Sequence, residues 1–207
     1  MSQGPQGQLR PAVFFDRDGT LVREVEGALS QLSQLEVLPG AALAVGRVNR
    51  AGFAACVITN QSAIARGWMD AFELERIHGA LAERLVAQGA QLDLILHCPH
   101  LDSTGLPPHW RPCPCRKPQP GLLLHAAELL KLNLERSWVI GDALRDVASA
   151  RAAGARGILV RTGKGRREEL GIAALPDAER PFAVVDTVLA AVELLMSQPA
   201  PVATQGK

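Results

Sequence analysis

The fold of this chain is decided by the stretch FFDRDGT, residues 14–20. Its two phenylalanines end an apolar run that starts at Ala12, and a short apolar run bounded by polar residues is typical of a buried strand. Asp16 and Asp18 follow this run directly. Because they are two residues apart in an extended segment, their side chains point the same way. The stretch therefore predicts a pair of carboxylates where the chain leaves a sheet.

Apolar runs of strand length alternate with segments of helical spacing along the rest of the chain. The predicted strands after the first are Phe53–Ile58, Leu92–Leu96, Trp138–Ile140, Ile158–Val160 and Phe182–Val185. The predicted helices are Ala41–Arg50, Phe72–Gln88, Leu122–Lys131, Arg145–Ala153 and Val188–Leu195. This alternation predicts an α/β fold of the doubly wound class, with a mostly parallel sheet whose functional groups collect beyond the carboxyl ends of its strands.

The composition is typical of one water-soluble domain. The chain has 207 residues, of which 47% are hydrophobic and 21% charged, as in most globular proteins. A net charge of +1 gives no reason to expect a nucleic-acid or membrane partner. The first residues lack the apolar core of a signal peptide, so a cytoplasmic protein is expected, and a monomer. We predict one domain over residues 11–197, with disordered ends at 1–10 and 198–207.

The carboxylate pair favours phosphoryl transfer assisted by a metal ion. Two close negative charges are costly unless a cation lies between them, and a site built of oxygen ligands favours magnesium over zinc. Asp16 can attack phosphorus and form an aspartyl-phosphate, while its neighbour Asp18 transfers the proton. A bare Asp-x-Asp pattern is also common in polar turns, so this hypothesis depends on the rest of the chain.

Three further segments supply what phosphoryl transfer requires. They are TNQS at 59–62, RKP at 116–118 and GDALRD at 141–146. The first offers hydroxyl, amide and backbone donors for phosphate oxygens, and the second offers two cations just before a predicted helix. The third offers one carboxylate that can complete a magnesium site and another that can orient it. Taken alone, the three segments are a turn, an exposed basic pair and a helix cap.

In this order, the four segments resemble the motifs of the haloacid dehalogenase superfamily of phosphatases. The resemblance implies that Asp16 is the nucleophile and Asp18 the general acid and base. It also implies that Thr59 and Lys117 contact the phosphate. The implied magnesium ligands are Asp16, Asp142 and the backbone carbonyl of Asp18, with Asp146 in a supporting position.

Four potential zinc ligands cluster in a segment rich in proline and polar residues. They are Cys98, His100, Cys113 and Cys115. Three thiolates and one imidazole can close a tetrahedral site with no open position, so the predicted zinc is structural. It would staple a loop at residues 97–116 that takes the place of a cap domain. His97 and His109 are alternative ligands, whereas Cys56 lies in an apolar run and is predicted to pack in the core.

Together with the cysteine loop, the motifs resemble one branch of that superfamily, the phosphatases of heptose bisphosphate and histidinol phosphate. The branch implies hydrolysis of the 7-phosphate of D-glycero-D-manno-heptose 1,7-bisphosphate, on the route to the activated heptose of lipopolysaccharide. Histidinol phosphate is the alternative substrate, and a non-catalytic, zinc-stabilised scaffold is the alternative class of protein. The implied substrate-binding residues are Glu24, Gly27, Asn60, Gln61, Ser62 and Arg116.

Two places depart from the pattern of this branch. Val22 and Arg23 replace the Asn-containing run expected after Gly-Thr, and the residue after Asp142 differs as well. Ala143 follows Asp142 directly, where relatives usually carry a lysine or another polar residue. An alanine cannot contact phosphate. Either Arg145, Arg17 or Lys164 compensates for it, or the substrate differs from the one that the resemblance implies.

Overall fold

A parallel sheet organises the part of the chain that the structure describes, residues 9–101 and 113–198 of a computed structural model. Its strands are β1 (Arg10–Phe15), β2 (Ala54–Asn60), β3 (Leu94–Cys98), β4 (Leu132–Gly141), β5 (Arg156–Val160) and β6 (Ala183–Val185). They lie in the order β3-β2-β1-β4-β5-β6, and every pair is parallel. The strand order reverses between β1 and β4, which is where doubly wound sheets bind their ligands.

Helices cover both faces of this sheet. They are α1 (Ala41–Arg50), α2 (Ala71–Val86), α3 (Gly121–Leu130), α4 (Leu144–Ala152), α5 (Gly165–Glu169) and α6 (Val188–Ser197). Val13 and Phe15 of β1 pack in one apolar cluster with residues of α1, α2 and α6. Ala12 and Phe14 pack in a second cluster with residues of α3 and α4. The side chains of β1 thus alternate between two buried faces, as the period of a strand requires.

The predicted parallel α/β architecture is confirmed, and two of its elements, β4 and α5, differ from the prediction. β4 begins at Leu132, six residues earlier than predicted, and its pairing with β1 is irregular between Pro11 and Val13. Helix α5 was not predicted, because five residues are too few to show a helical period. Helix α2 is capped by Asp70, whose Oδ1 accepts a hydrogen bond from the backbone N–H of Glu73 at 2.7 Å.

The predicted disorder of residues 1–10 is wrong at Arg10, which is the first residue of β1. The guanidinium of Arg10 donates to the carbonyl oxygen of Phe53 at 2.7 Å and pairs with Asp93 at 3.1 Å. These contacts fix the start of the strand. Residues 1–8, 102–112 and 199–207 lie outside the described residues, and with them most of the predicted disorder and much of the loop 97–116. No helix within the described ranges is long and apolar enough to cross a membrane.

Candidate active site

The register of the two central strands brings three buried carboxylates together. Phe15 of β1 pairs with Ile140 of β4, and the backbone N–H of Asp16 donates to the carbonyl oxygen of Ile140 at 2.9 Å. Asp16 therefore lies beside the end of β4, where Asp142 follows. One oxygen each of Asp16, Asp142 and Asp146 lies within 4.8 Å of the others. All three residues are at most 3% exposed.

Two glycines leave the space that these carboxylates occupy. A Cβ atom on Gly19 would lie 2.1 Å from Oδ2 of Asp142, and one on Gly141 would lie 2.4 Å from the carboxyl group of Asp146. Gly19 also has a φ of 76°, a conformation that side chains disfavour. The glycine of the DGT motif is thus required both by the turn and by the neighbouring carboxylate.

Lys117 is the buried cation of the cluster. Its Nζ lies 2.9 Å from Oδ1 of Asp16 and 2.6 Å from Oδ1 of Asp146, and it donates to the carbonyl oxygen of Ile58 at 2.8 Å. Burial alone would lower the pKa of Lys117, but the carboxylates of Asp146 and Asp16 outweigh burial and raise it. Burial likewise acts to raise the pKa of Asp16, and the charges of Lys117 and Arg145 reverse that effect and lower it. Asp16 is therefore an ionised carboxylate, as a nucleophile must be.

Asp142 has the surroundings of a cation ligand. Its Oδ2 accepts a hydrogen bond from the backbone N–H of Lys164 at 2.8 Å, while its buried Oδ1 has no hydrogen-bond partner among the described residues. Burial, followed by the charge of Asp16, raises the pKa of Asp142 to about 7. A buried carboxylate oxygen without a donor, beside a second carboxylate, fits a divalent cation with oxygen ligands.

Asp18 is held on both of its oxygens. Nε of Arg17 donates to Oδ1 at 3.1 Å and Nη2 donates to Oδ2 at 3.0 Å. Nε2 of Gln61 donates to Oδ2 at 2.8 Å and to the hydroxyl of Thr59 at 2.8 Å. Arg17 is fully buried and turned toward Asp18, so the hypothesis that it replaces a missing phosphate contact at Ala143 is wrong.

Asp16 and Asp18 line a cavity. Its polar lining residues are Asp16, Asp18, Glu24, Gly27, Thr59, Asn60, Gln61, Ser62, Arg116, Arg145 and Lys164. This set includes every residue that was expected to bind substrate. Asn60 has a second role, because its side-chain amide donates to the backbone carbonyl of Lys117 and accepts from the backbone N–H of the same residue, both at 3.0 Å. Asn60 therefore orients the lysine beneath the cavity.

The cations around Ala143 differ in how free they are. Ala143 itself is 1% exposed. The Nζ of Lys164 pairs with Glu24. Arg145 lines the cavity. Among the described residues, no carboxylate lies within ion-pair distance of Arg145, and its Nε has no hydrogen-bond partner. Its positive charge is thus compensated only at longer range, by Asp146 and Asp16 among others.

The cysteine segment forms a second cluster. Sγ of Cys115 lies 3.2 Å from the sulfurs of Cys98 and Cys113 and 3.3 Å from Nδ1 of His100. Zinc–sulfur bonds of about 2.3 Å and zinc–nitrogen bonds of about 2.0 Å imply tetrahedral edges of about 3.5 to 3.8 Å, and the observed distances are shorter than these edges by at most about 0.6 Å. The chemistry and spacing of the four donors therefore fit zinc.

Other predictions for the cysteines have separate outcomes. His97 lies with His78 and Glu75 instead of in this cluster, so the hypothesis that it is an alternative ligand is wrong. His109 lies outside the described residues. Cys56 is fully buried, as predicted for a core residue, and burial raises the pKa of its thiol to about 12. Nη1 of Arg116 donates to the carbonyl oxygen of His100 at 2.9 Å, which links this cluster to the cavity.

Sequence reasoning missed the clamp on Asp18. Arg17 was considered only as a phosphate contact, and His78, which contacts it, was not considered at all. One signal was present in the sequence: His78 lies on the same face of α2 as Leu74, Ile77 and Leu81. A polar residue on the apolar face of a helix needs a buried partner.

Comparisons with known proteins show what the chain is similar to. The HAD-hydrolase-like family model matches residues 114–191. A protein of Pseudomonas aeruginosa named D-glycero-beta-D-manno-heptose-1,7-bisphosphate 7-phosphatase is 37% identical over 158 residues, which are 76% of this chain and 85% of that protein. A protein of Thermosynechococcus vestitus named D-glycero-D-manno-heptose-1,7-bisphosphate 7-phosphatase is 40% identical over 202 residues, which cover 93% of this chain and 98% of that protein.

Solved structures are similar as well. The D,D-heptose 1,7-bisphosphate phosphatase of B. bronchiseptica, complexed with magnesium and phosphate, is 32% identical, with a TM-score of 0.78 over 90% of this chain and 98% of that one. The corresponding enzyme of Burkholderia thailandensis is 28% identical, with a TM-score of 0.65 over 91% of this chain and all of that one.

Proposed function

The chain belongs to the haloacid dehalogenase-like hydrolases, and from that membership we propose that it is a magnesium-dependent phosphatase acting on the 7-phosphate of D-glycero-D-manno-heptose 1,7-bisphosphate. The observation that carries the proposal is the buried group of Asp16, Asp142 and Asp146, in which Lys117 pairs with Asp16 and Asp146, beside a cavity lined by Asp16 and by further cations. Relatives that are 37% and 40% identical over most of their length carry the name of this activity.

The reaction has two displacements. In the first, a carboxylate oxygen of Asp16 attacks phosphorus, and the bond between phosphorus and oxygen 7 of the sugar breaks as protonated Asp18 gives its proton to that oxygen. The sugar leaves with a free hydroxyl group. In the second, Asp18 takes a proton from a water molecule whose oxygen attacks phosphorus, and the bond to Asp16 breaks. Phosphate then leaves, and both carboxylates return to their initial states.

The site's own residues fix this geometry. The hydrogen bond from the backbone of Arg17 to Oδ1 of Asp16 (2.7 Å) and the ion pair with Lys117 hold the carboxylate of Asp16 in one rotation. Asp16, Asp142 and the backbone carbonyl of Asp18 would hold the magnesium. Magnesium in that position neutralises charge between the nucleophile and the phosphate. The hydroxyl of Thr59 and the amide of Gln61 face the same cavity.

The proposal also covers the phosphate contact that Ala143 cannot make. Of the three cations that were candidates for it, Arg17 is bound to Asp18 and Lys164 to Glu24. Arg145 faces the cavity with no close ion pair in the described part of the chain. We assign the contact to Arg145, because a guanidinium with unused donors is well suited to bind phosphate oxygens.

The cysteine cluster has a structural role in the same proposal. Cys98, His100, Cys113 and Cys115 would bind one zinc ion with no position left for substrate. The zinc would fix the segment that carries Arg116 and Lys117, through the hydrogen bond between Arg116 and the carbonyl of His100. It would take no part in the reaction.

A substrate panel tests the proposed function. Purified protein is assayed for phosphate release from heptose 1,7-bisphosphate and from histidinol phosphate, with and without magnesium. We expect release of the 7-phosphate only with magnesium, loss of activity with a chelator too weak to remove zinc, and recovery when magnesium is added back. Protein that is measured for zinc after the chelator treatment serves as the control.

Two outcomes would contradict the proposal. A preference for histidinol phosphate of more than about tenfold, a factor equal to about 1.4 kcal/mol of transition-state stabilisation, would show that the substrate is wrong. Full activity without magnesium would show that the role given to Asp142 is wrong. If no phosphate ester is hydrolysed at all, the scaffold hypothesis replaces the enzyme.

A further inference from the structure

A buried histidine lies behind the catalytic carboxylate pair. Nη1 of Arg17 lies 3.3 Å from Nε2 of His78, while Nε and Nη2 of the same guanidinium bind Asp18. Arg17 is fully buried and His78 is 4% exposed. Asp18, Arg17 and His78 therefore form a chain of contacts that runs from the cavity into the core.

The direction of the contact fixes the state of the histidine. A guanidinium has donors and no acceptor, so Nε2 of His78 must accept, and the single ring proton must lie on Nδ1. Burial, with the nearby positive charge of Arg17, lowers the pKa of His78 to about 3. The ring is thus neutral at physiological pH, and it can accept a hydrogen bond throughout.

The position of this ring proton also decides whether the cluster of Glu75, His78 and His97 can bind a metal ion. One potential ligand atom of each residue lies within 4.8 Å of the others. When Nε2 of His78 accepts from Arg17 and Nδ1 carries the proton, neither nitrogen has a free lone pair for a metal. A metal bound here would have to break the contact with Arg17. The structure therefore favours a hydrogen-bonding role for His78 over a metal site.

We propose that His78 is a positioning residue, which holds the guanidinium of Arg17 in the orientation that clamps Asp18. This inference rests on the proposed function, because Asp18 is the general acid and base of that reaction. Arg17 is shut off from solvent, so water cannot replace the acceptor that His78 provides. Without that acceptor, a buried donor is left unpaired, and the guanidinium can turn away from Asp18. His78 itself would not touch the substrate.

Two substitutions at one position separate positioning from packing. His78→Leu removes the acceptor, whereas His78→Gln keeps an amide oxygen that can accept from Arg17. We expect His78→Leu to lower kcat about tenfold with little change in KM, the size expected when a buried hydrogen bond to a charged group is lost. We expect His78→Gln to recover most of that loss. His97→Leu is the matched control, since His97 packs beside His78 with ring centroids 5.8 Å apart, and it should leave kcat unchanged.

Non-additivity with Arg17 adds a readout that a purely structural role would not give. If His78 acts through Arg17, adding His78→Leu to an Arg17→Lys protein should lower kcat no further. Equal effects of His78→Leu on the wild-type and Arg17→Lys backgrounds would overturn the proposal. Wild-type kcat in a folded His78→Leu protein would overturn it as well, and so would a His78→Gln protein as slow as His78→Leu.

A measurement without turnover keeps the inference independent of the substrate. The nitrogen-15 chemical shifts of the His78 ring in the wild-type protein report which nitrogen carries the proton. We expect Nδ1–H and an unprotonated Nε2 from pH 5 to pH 8. A proton on Nε2 would overturn the proposal even if His78→Leu failed to fold. If the wild-type protein hydrolyses no phosphate ester while the ring has the expected tautomer, it is the proposed function that fails, and the positioning contact stands.

Discussion

The carboxylate site and the cysteine cluster are both groups of side chains that can bind a metal ion, but their potential ligand atoms differ in the partners they have. Asp16, Asp142 and Asp146 come from the ends of β1 and β4 and the start of α4, and Asp16 lines a cavity. Oδ1 of Asp142 has no hydrogen-bond partner in the described residues. In the cysteine cluster, each of the four donor atoms lies 3.2–3.5 Å from at least one of the others, and none of the four residues lines the cavity.

This difference indicates which cluster does chemistry. A metal site with an open side can take a substrate, whereas four protein ligands close a tetrahedron and leave no position free. Two hydrogen bonds of the described residues join the two regions. Arg116, which lines the cavity, donates to the carbonyl oxygen of His100, and the backbone N–H of Gln61, which also lines it, donates to the carbonyl oxygen of Cys98 at 2.7 Å. Damage to the carboxylate site should therefore stop turnover and leave zinc in place. Damage to the cysteine cluster should remove the proposed zinc and affect the reaction only indirectly, through those hydrogen bonds.

The largest effect on turnover is expected at the nucleophile. Asp16→Asn removes the charged oxygen that attacks phosphorus, and we expect the rate of phosphate release to fall about ten-thousandfold, as for other essential nucleophiles. Zinc content, measured by elemental analysis, should stay as in the wild-type protein. Asp177→Asn is the control, because the side chain of Asp177 is 90% exposed and bonded only to Arg180 in the described residues.

A fast Asp16→Asn protein would break the distinction between the two regions. If its turnover matched that of the Asp177→Asn protein, the aspartyl-phosphate mechanism would be wrong. If its zinc were lost as well, the two clusters would be one cooperative unit instead of two.

Much of the fold could be predicted from the sequence, because each strand is a short apolar run between polar segments. The motif residues could be predicted for the same reason, since parallel strands bring their carboxyl ends to one edge of the sheet. Asp16 and Asp142 are 126 residues apart in the chain, and the pairing of Phe15 with Ile140 brings them together. Where periodicity is short or irregular, prediction failed, as at the start of β4 and at α5.

The partners of the motif residues could not be predicted, because they depend on side-chain directions. Arg17 lies between Asp16 and Asp18, which line the cavity, and its buried guanidinium contacts both Asp18 and His78. Sequence spacing alone left Arg17, Arg145 and Lys164 as equal candidates for a phosphate contact. The ion pair of Lys164 with Glu24 and the burial of Arg17 distinguish them.

A smaller effect on turnover is expected at Arg145. This residue lines the cavity and tests the difference between the carboxylate site and the cysteine cluster through phosphate binding. Arg145→Ala removes the proposed phosphate contact, and we expect kcat/KM to fall roughly tenfold to a hundredfold, the range for losing a hydrogen-bonded charge. The inhibition constant of inorganic phosphate should rise in parallel. The matched control is Arg151→Ala on the same helix, where the arginine is exposed and paired with Glu179 at 3.1 Å. Equal kcat/KM values for the two variants would show that Arg145 does not bind phosphate.

The smallest effect on turnover is expected at the cysteine cluster, where the effect on stability should be the largest. Cys113→Ala and Cys56→Ala remove the same thiol from two sites, one in the cluster and one in the core next to β1. We expect the Cys113→Ala protein to lose its zinc and to have the lower melting temperature, because metal binding contributes to folding free energy. Cys56→Ala should keep about one zinc ion per chain, as a site with four ligands predicts.

Turnover in these two proteins decides whether the clusters communicate. If the link through Arg116 matters, folded Cys113→Ala protein should show a KM about threefold higher, since the binding contribution of one cavity-lining residue is weakened, while kcat stays close to that of Cys56→Ala. A Cys113→Ala protein that retains zinc would remove the structural-zinc proposal. A kcat as low as that of Asp16→Asn would mean that the cysteine cluster takes part in the chemistry. That result would contradict the separation of roles, because a metal ion with four protein ligands has no open position for substrate.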